Sequence, residues 1–368
     1  MSKKNRFVIV QNSLRTVYKF RLSYLKKLLS KGDVYIIAPN DDAFSFNELK
    51  KTGVYIYNIP AGHGFIGKIL EIFKMNLFII KERFLGSTFV CHFLITFILT
   101  YITIAPFNAK LVIYIEGLGT IFSNHKTLQK ILKFFLIKNS AARFFCNASE
   151  RFLIGRSSDF VINGIGIDLS KFSCSSHVLR NGEKYRLLYV GRLIKDKGVI
   201  DAIEVLRYLL SKGIDVSLSL VGEVYNGNPS SLSKEDICLY KNEFGDFIEF
   251  AGYTHDIKRF YIESDILLIP SIREGFPVCV MEASAMGIPS VGYDVPGVRD
   301  AITNGINGIV VPFRDVKRLS CAVEGLLSNG ALLDYYSKCK KIASDNFCSN
   351  HKDWILVDKL CELSKSND

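Results

Sequence analysis

Short apolar runs alternate with amphipathic segments along the whole chain, and this alternation limits its possible folds more than any other feature. In the first half, the runs that predict strands are residues 7–10, 34–38, 54–59, 89–93, 111–115, 144–146 and 160–162. In the second half, they are residues 187–190, 216–221, 247–250, 266–269, 290–292 and 309–311. The segments between them, such as 17–30 and 199–210, have the periodicity of amphipathic helices. Repeated strand–helix alternation predicts parallel sheets with helices on both faces.

One polar stretch, residues 170–184, has neither periodicity and predicts a linker. A chain of 368 residues suits two domains. We therefore predict an α/β fold with two Rossmann-like, doubly wound domains that face a cleft. The N-terminal domain would cover 1–170 and the C-terminal domain 185–350, with a last helix over 351–368 packing back toward the N-terminal domain. In such folds, ligands bind at the carboxyl ends of the strands.

The composition is typical of a globular protein in a reducing compartment. Hydrophobic residues make up 48% and charged residues 23%, which excludes a disordered chain. The nine cysteines include no C-x-x-C pair, which argues against a disulfide framework or a zinc ribbon. The basic start has too few apolar residues for a secretory signal, so we expect a cytoplasmic protein.

Charge is divided unevenly between the two halves of the chain. Residues 1–180 carry 25 Lys and Arg against 10 Asp and Glu, a net charge of +15, whereas residues 181–368 have a net charge of −4. This asymmetry predicts an anionic partner for the first half. This anionic partner could be nucleic acid, an anionic membrane surface or a phosphorylated substrate. No zinc-finger, RNP-type or helix-turn-helix pattern supports nucleic acid.

The segment 85–107 is apolar over 23 residues and contains no Asp, Glu, Lys or Arg, with His92 and Tyr101 among its few titratable side chains. Its length would suffice to span a bilayer. However, Gly86 and Pro106 interrupt it, and a buried βα unit of a parallel sheet is also continuously apolar. We therefore interpret it as a buried strand, a turn and a helix.

A glycine and two cations follow the first strand of the second half. In the segment V-G-R-L-I-K-D-K-G, Gly191 permits a tight turn, and the helix that follows presents free N–H groups. Arg192 and Lys197 would add two positive charges facing one anionic group, which suits a diphosphate. From the spacing alone, solvated loop charges explain these residues equally well.

Two glutamates accompany a second strand end. The segment P-S-I-R-E-G-F-P-V-C-V-M-E leads from a strand into a helix that begins near Pro277. Glu274 lies before this helix and Glu282 inside it, so both carboxylates can face one crevice and accept hydrogen bonds from sugar hydroxyls. The alternative interpretation is a helix-capping Glu274 and a surface Glu282.

Together these segments resemble the retaining nucleotide-sugar glycosyltransferases called family 4, which have the GT-B arrangement of two Rossmann-like domains. The E-x7-E element follows an upstream G-R-x-x-x-x-K-G, and N-G-I-G-I-D with Phe172 is similar to the end of that family's first domain. The resemblance extends in order and spacing over residues 160–315.

The resemblance implies a role for each matching residue. Arg192 and Lys197 would hold the donor diphosphate and neutralise it as it leaves, Glu282 would bind the ribose, and Glu274 would bind the transferred sugar. The full implied donor-binding set is Gly191, Tyr253, Gly275, Phe276, Pro277, Val278 and Glu282. No D-x-D metal element occurs in the sequence. We expect no required metal and no cofactor besides the substrate nucleotide sugar.

The first half resembles a subgroup that builds bacterial surface polysaccharides, through Y-K-F-R-L around Arg21 and E-G-L-G-T-I-F from Glu116. The subgroup's acceptor is a glycan on a polyprenyl diphosphate. This chain lacks the usual glycine pair after the first strand, and it has Glu116 where many relatives have a histidine. We predict Glu116 as catalytic, together with Arg192, Lys197 and Glu274 of the second half. We predict Arg21, His92, Gly117 and Gly119 as acceptor-side residues, with a satisfied core histidine as the alternative for His92.

We therefore predict a retaining, metal-independent hexosyltransferase. It would move a hexose or N-acetylhexosamine from a nucleoside diphosphate sugar, with UDP expected, to a lipid-linked glycan of O-antigen or capsule synthesis. It would lie at the inner face of the cytoplasmic membrane and bind no nucleic acid. The basic residues expected to face this anionic surface are Lys19, Arg21, Lys26, Lys27, Lys126, Lys130 and Lys133.

Three other functions fit parts of the pattern. A nucleotide-sugar epimerase or hydrolase of the same fold would not need a basic first domain. A non-catalytic nucleotide-sugar-binding module would not need all four of Arg192, Lys197, Glu274 and Glu282, which are present. A dinucleotide dehydrogenase is disfavoured because no G-x-G-x-x-G follows the first strand of either half.

Overall fold

The protein was analysed as a computed structural model that describes residues 5–105, 110–118, 125–172, 184–225, 227–254, 256–328 and 331–365. It divides into two compact units. Unit 1 comprises Met1–Ile165 and Ser349–Asp368, and unit 2 comprises Gly166–Cys348. The chain thus returns to unit 1 at residue 349, and the stretch 170–184 begins inside unit 2.

Unit 1 is built on a parallel sheet of seven strands in the order β4-β2-β1-β6-β7-β8-β9. Its strands are β1 Arg6–Val10, β2 Asp33–Ile37, β4 Tyr55–Ile56, β6 Thr88–His92, β7 Leu111–Ile115, β8 Ala142–Phe145 and β9 Phe160–Val161. Two further strands, β3 Pro39–Asn40 and β5 Ile59–Pro60, form a separate small sheet. The central strands are buried on both faces, which explains their continuous apolar sequences.

Helices cover the strands of unit 1. They are α1 Leu14–Leu29, α2 Ala43–Lys51, α3 Gly64–Phe84, α4 Leu94–Ile104, α5 Lys126–Lys138, α6 Ala148–Ile154 and α14 Ser349–Lys365. Helix α1 begins where the Ser13 hydroxyl accepts a hydrogen bond from the Thr16 N–H. The last helix, α14, packs on α1, where Lys27 Nζ lies 3.0 Å from Asp353 Oδ2.

Unit 2 has a parallel sheet of six strands in the order β12-β11-β10-β13-β14-β15. Its strands are β10 Tyr185–Val190, β11 Val216–Val221, β12 Ile248–Gly252, β13 Ile266–Ile269, β14 Ser290–Tyr293 and β15 Gly308–Val311. Its helices are α7 Val199–Ser211, α8 Lys234–Phe244, α9 Ile257–Ile262, α10 Val278–Met286, α11 Val298–Ala301, α12 Val316–Ser328 and α13 Ala331–Ile342. Short 3₁₀ turns at Lys195–Lys197 and Gly245–Phe247 and a π turn at Ala343–Phe347 complete it.

Each sheet has one point where the strand order reverses direction. In unit 1 it lies between β1 and β6, and in unit 2 between β10 and β13. At such a point the two neighbouring strands send their connections to opposite faces, which leaves a crevice at their carboxyl ends. The topology therefore directs attention to the loops that follow β1, β6, β10 and β13.

The structure confirms the predicted fold class, two Rossmann-like α/β units. The segment 85–107 contains β6, a turn at Phe93 and α4, as predicted, although residues 106–107 lie outside the described ranges. Within those ranges, no helix has both the length and the apolar character needed to cross a membrane. The run 54–59, expected to be one strand, holds β4 and the first residue of β5, with residues 57 and 58 between them, because Ile59 pairs with Pro39 of β3 instead of with β2.

Candidate functional site: the strand ends at the two switch points

In unit 2, the loops that follow β10 and β13 are bonded to each other. The Ile272 N–H donates to the Asp196 carbonyl oxygen at 3.1 Å. Since β10 and β13 are neighbours at the switch point, the G-R-x-x-x-x-K-G loop and the E-G-F-P loop meet there. The two sequence segments singled out for chemistry are therefore brought together by the sheet topology.

Two glycines permit close approaches of the loop after β10, one to the loop after β13 and one to the end of β11. Gly198 has a φ of +75°, and a Cβ atom there would lie 2.0 Å from the Pro270 carbonyl oxygen. Gly222, after β11, has a φ of +153°, and its Cβ would lie 1.9 Å from the Gly191 carbonyl oxygen. Any larger residue at either position would force the loops apart.

Lys197 and Glu274 form an ion pair across the two loops. Lys197 Nζ donates to Glu274 Oε1 at 2.7 Å, and the Ser271 hydroxyl donates to the same oxygen at 2.8 Å. The Lys197 and Glu274 side chains keep 25% and 14% of their surface exposed, so a ligand can reach both. An ammonium group has three N–H donors, so Lys197 can hold Glu274 and a phosphate oxygen at once.

Arg192 extends the positive charge of this site into solvent. Its guanidinium lies 4.8 Å from the ring centroid of Tyr225, a cation–π contact. Among the described residues, no carboxylate lies within ion-pair distance of Arg192. Its backbone is fixed by the buried Tyr189, whose hydroxyl donates to the Arg192 carbonyl oxygen at 2.8 Å. The Arg192 side chain is thus exposed and can bind an anion, while its backbone is held in place by the hydrogen bond from Tyr189.

Glu282 lies one turn into α10 and is oriented from α9. The hydroxyl of the buried Tyr261 donates to Glu282 Oε2 at 2.8 Å. Burial and the charge of Glu282 raise the pKa of Tyr261 well above its ordinary value, so this phenol stays a donor. Burial raises the pKa of the Cys279 thiol, and the charges of Glu274 and Glu282 raise it further. Cys279 therefore lies within the electrostatic reach of both carboxylates.

The remaining predicted donor residues have different surroundings. The Phe276 ring is buried and packs edge-on against Phe347 with 6.0 Å between centroids, so only its backbone could meet a ligand. Helix α10 begins at Val278, and Pro277 is the residue before it. Gly275 is partly exposed in the loop. Tyr253 follows β12, with 40% of its surface exposed.

In unit 1, three of the predicted residues, Arg21, His92 and Glu116, form a buried network beside the switch point. Glu116, which follows β7, is bonded to the Arg21 guanidinium and lies 3.0 Å from His92 Nδ1 through the same oxygen, Oε1. The other ring nitrogen of His92, Nε2, lies 2.7 Å from the Tyr24 hydroxyl. The Arg21 and His92 side chains are buried, and that of Glu116 is 8% exposed.

Burial and neighbouring charges determine which groups in this network are ionised. Burial and the neighbouring Arg21 lower the pKa of His92 to about 4, so the ring is neutral at pH 7. Burial by itself would raise the pKa of Glu116, but Arg21 and the His92 hydrogen bond lower it below its ordinary value. An ionised carboxylate only accepts, so the His92 proton lies on Nδ1, and Nε2 accepts from Tyr24. His92 is therefore a satisfied core histidine that positions Glu116.

Two of the basic residues expected at the surface do not face it. Arg21 points into the buried network, because Glu116 neutralises it there, and Lys27 pairs with Asp353 of α14. Gly117 has a φ of 146°, and the following Leu118 N–H donates to the Glu150 carboxylate at 2.9 Å. Gly119 and the rest of the predicted segment through Phe122 lie outside the described residues.

Four side chains that orient the site lie outside the residues predicted from the sequence. They are Tyr24, Tyr189, Tyr261 and Ser271, whose hydroxyls donate to His92, Arg192, Glu282 and Glu274. Ser271 was detectable, since it lies three residues before Glu274 in the quoted motif. The tyrosines lie outside the motifs that pointed to chemistry, and their roles depend on contacts between distant segments.

Comparison with solved structures identifies the class of fold. HepE of Anabaena in complex with UDP-glucose superposes with a TM-score of 0.76 over 97% of this chain and 99% of that chain, at 15% identity. Two Rossmann-like units with these topologies define the GT-B fold of glycosyltransferases.

Sequence comparison then finds a similar family. Residues 175–345, just under half of the chain, match the family described as "Glycosyl transferases group 1". The capsular polysaccharide biosynthesis glycosyltransferase CapM of Staphylococcus aureus is 31% identical over 203 residues, 53% of this chain and 52% of CapM, so this match spans about half of either protein.

A second relative matches over most of its length. It is the N,N'-diacetylbacillosaminyl-diphospho-undecaprenol alpha-1,3-N-acetylgalactosaminyltransferase of Campylobacter jejuni, 26% identical over 352 residues, 86% of this chain and 88% of the relative. Its similarity includes the first half of the chain, where the family match is absent.

Proposed function

We propose that this protein is a retaining family 4 glycosyltransferase. It transfers a hexose or N-acetylhexosamine from a nucleoside diphosphate sugar, UDP-linked, to a polyprenyl-diphosphate-linked glycan in bacterial O-antigen or capsule synthesis. The observation that carries this proposal is the Lys197–Glu274 pair, which joins the two loops of the unit 2 switch point beside the exposed Arg192.

The donor diphosphate binds to Arg192 and Lys197. Cleavage of the anomeric bond leaves negative charge on the diphosphate, and cations already fixed in place stabilise that charge without reorganisation. Lys197 is fixed by Glu274, and the Arg192 backbone is fixed by Tyr189. Transition-state stabilisation by these two residues supplies the main catalytic effect.

The two glutamates recognise hydroxyl groups of the donor. Glu282, held by Tyr261, binds the ribose, and Glu274 binds the transferred sugar. Both oxygen atoms of an ionised carboxylate accept, so each glutamate has acceptor capacity beyond its observed protein bonds. The contact between Glu274 and Lys197 couples the sugar site to the diphosphate site.

Retention of configuration follows from attack on the face from which the diphosphate leaves. The leaving phosphate takes the proton of the acceptor hydroxyl, and the acceptor oxygen forms the new glycosidic bond as the anomeric C–O bond breaks. Glu274 is disfavoured as a covalent nucleophile, because Lys197 and Ser271 both donate to its Oε1 and reduce its nucleophilicity. No metal is required, since two side-chain cations neutralise the leaving group.

The acceptor side is formed by unit 1. Glu116 is held ionised by Arg21 and His92, which suits an acceptor of hydrogen bonds from a substrate hydroxyl better than a strong base. The names of CapM and of the Campylobacter transferase support capsular and diphospho-undecaprenol-linked glycans as the acceptor class. A lipid-linked acceptor places the enzyme at the inner face of the cytoplasmic membrane.

A thermal-shift experiment tests the donor site. Purified protein is heated with UDP, GDP, ADP or CMP and with common nucleotide sugars. We expect selective stabilisation by UDP and one UDP-sugar, since a ligand at 100 times its Kd adds about 2.7 kcal/mol. The effect should disappear in Glu282→Ala and persist in Glu263→Ala, whose exposed side chain lies directly after α9. Absence of any nucleotide effect would refute the donor assignment.

A product assay then separates transfer from the alternatives. The stabilising UDP-sugar is incubated with a polyprenyl diphosphate glycan, with and without EDTA, and the product linkage is determined by NMR. We expect a lengthened glycan with retained anomeric configuration and a rate unchanged by EDTA. Free sugar would indicate a hydrolase, an isomeric UDP-sugar an epimerase, and binding without turnover a binding module.

A further inference from the structure

Helix α3 has two apolar faces on opposite sides. Met75 and Ile79 point into the core of unit 1. Eight large apolar side chains point outward, each more than a third exposed: Phe65, Ile66, Ile69, Leu70, Phe73, Leu77, Ile80 and Phe84. At about 100° per residue, these eight lie within an arc of about 140°, an unbroken stripe along all 21 residues of the helix.

Helix α4 adds a second exposed apolar stripe. Ile95, Ile98, Leu99 and Ile102 are exposed, and Ile102 reaches 83%. Helix α4 contains no charged residue at all. A surface helix normally has polar residues on its outer side, so an apolar outer side on two helices requires a partner.

The two stripes are neighbours on one surface. Helices α3 and α4 pack together, with the Arg83 guanidinium donating to the Thr103 carbonyl oxygen at 2.6 Å and the Asn76 amide to the Leu99 carbonyl oxygen at 3.4 Å. Asn76 and Arg83 lie at the border of the outward arc of α3. We call the twelve exposed side chains of α3 and α4 the apolar face.

The charges beside the apolar face are basic. On α3, Lys74 and Lys81 are exposed beside the outward arc, whereas Lys68 pairs with Glu71 at 2.8 Å and both glutamates of that helix are buried. Helix α5, which contacts α4 through Tyr101 and Phe135, carries four lysines and no acidic residue. These lysines account for part of the net charge of +15 in the first half.

We propose that the apolar face inserts into the headgroup region of an anionic lipid bilayer, with α3 and α4 lying in the plane of the membrane. Helices with a broad apolar side and flanking lysines bind in this way, and each lysine near an anionic surface adds further attraction. The proposal deepens the proposed function by naming the surface that meets the membrane, and it rests on that function for the reason why a bilayer is the partner.

Charge favours a bilayer over a second copy of the chain. A contact between two identical apolar faces would bring the lysines of each copy close to those of the other, and like charges oppose such a contact. Anionic lipid headgroups neutralise the same lysines, whose long stems allow the ammonium groups to reach the headgroups while α3 lies deeper.

Vesicle flotation of the full chain without any substrate tests the proposal. One set of vesicles contains phosphatidylcholine alone. The other also contains roughly 30 mol% phosphatidylglycerol, which gives these vesicles an anionic surface. The variant Ile69→Gln/Phe73→Gln/Leu77→Gln changes the apolar face. Phe152→Gln, an 85% exposed phenylalanine on α6, is the matched control. A second pair compares Lys126→Gln/Lys130→Gln on α5 with Lys234→Gln/Lys241→Gln on α8.

We expect binding to the anionic vesicles, a loss of about tenfold or more in the triple variant, and no change in Phe152→Gln. The α5 variant should lose several-fold and the α8 variant nothing. Absence of binding, or equal loss in the Phe152 control, would overturn the proposal. Lipid-free dimers that dissociate in the triple variant would assign the face to a second copy. Because no turnover is measured, failure here is distinguishable from failure of the transferase assignment.

Discussion

The two switch points of this protein hold the same kinds of residues in opposite states. In unit 2, Lys197 and Glu274 form a partly exposed pair beside the solvent-facing Arg192. In unit 1, Arg21 and Glu116 form an ion pair with almost no exposed surface. His92 and Tyr24 extend this pair into a buried hydrogen-bond network. One switch point offers charge to a ligand, and the other uses its charge mainly within the protein.

This difference separates residues for binding from residues for architecture. A partly exposed cation loses little hydration when a diphosphate binds, and it still has N–H groups that can donate to the phosphate oxygens. A buried ion pair has already lost its hydration, so removal of one partner leaves an uncompensated charge inside the protein. Mutations in unit 2 should therefore change turnover, and mutations in unit 1 should change stability first.

Arg21→Met should have the strongest effect on stability. It leaves the Glu116 carboxylate buried without its cation, and breaking such a pair costs about 3–5 kcal/mol. Urea unfolding with amide exchange at β6 and β7 measures the loss. Arg299→Met is the control, because its pair with Asp294 is exposed and contributes about 1 kcal/mol or less. Equal losses in the two variants would contradict a special role for burial.

Lys197→Ala should lower kcat about a hundredfold, or about 3 kcal/mol of transition-state stabilisation, with little change in the free energy of unfolding. Arg192→Ala should act in the same direction. Lys195→Ala is the matched control, since Lys195 lies on the same 3₁₀ turn with its side chain exposed. Steady-state measurements of the transfer rate in these variants test the prediction. Near-normal turnover in both Lys197→Ala and Arg192→Ala would remove the diphosphate assignment.

Acid should destabilise unit 1 through His92. Its pKa is about 4 in the folded protein and near 6.5 when unfolded, so the unfolded state binds more protons between these values. The stability contribution is complete above pH 6.5 and falls by about 2 kcal/mol between pH 6.5 and 5. Melting curves over this range should decline more steeply for the wild type than for His92→Gln. Substitution of the exposed His351 by Gln should leave the slope unchanged, and parallel slopes for His92→Gln would contradict the prediction.

Tyr261→Phe should have the smallest effect of the four. A hydrogen bond to a charged group contributes about 1.5–3 kcal/mol. Loss of the hydroxyl frees the Glu282 carboxylate to rotate but leaves its own bond to the ribose possible, so only part of this is lost and UDP affinity should fall about fivefold, or about 1 kcal/mol. Calorimetric titration with UDP measures this. Tyr208→Phe removes a comparable tyrosine–glutamate bond to Glu324 on the surface of unit 2 and should leave UDP affinity unchanged. An unaltered Kd in Tyr261→Phe would mean that Glu282 needs no positioning.

The local sequence pattern was sufficient to predict the strands and helices and the loops that contain the motifs. The strands at 187–190 and 266–269 were predictable because strands buried on both faces require uninterrupted apolar runs. The interpretation of 85–107 as a buried strand and helix was predictable because Gly86 and Pro106 interrupt the run near its two ends. The separation of β4 from β5 was not, since it depends on Ile59 finding β3 as its partner.

The sequence by itself determined the two α/β units, the alternation of their elements and the identity of the loops at the strand ends. It could not determine which side chains meet, because the pairs that matter are far apart along the chain: Arg21 and Glu116 are 95 residues apart, and Lys197 and Glu274 are 77 apart. Only the order of strands in each sheet brings them together. The tertiary structure also decided that Arg21 is buried while Arg192 is exposed, and it left the outer sides of α3 and α4 uncovered, since burial depends on what packs against a residue and not on the residue itself.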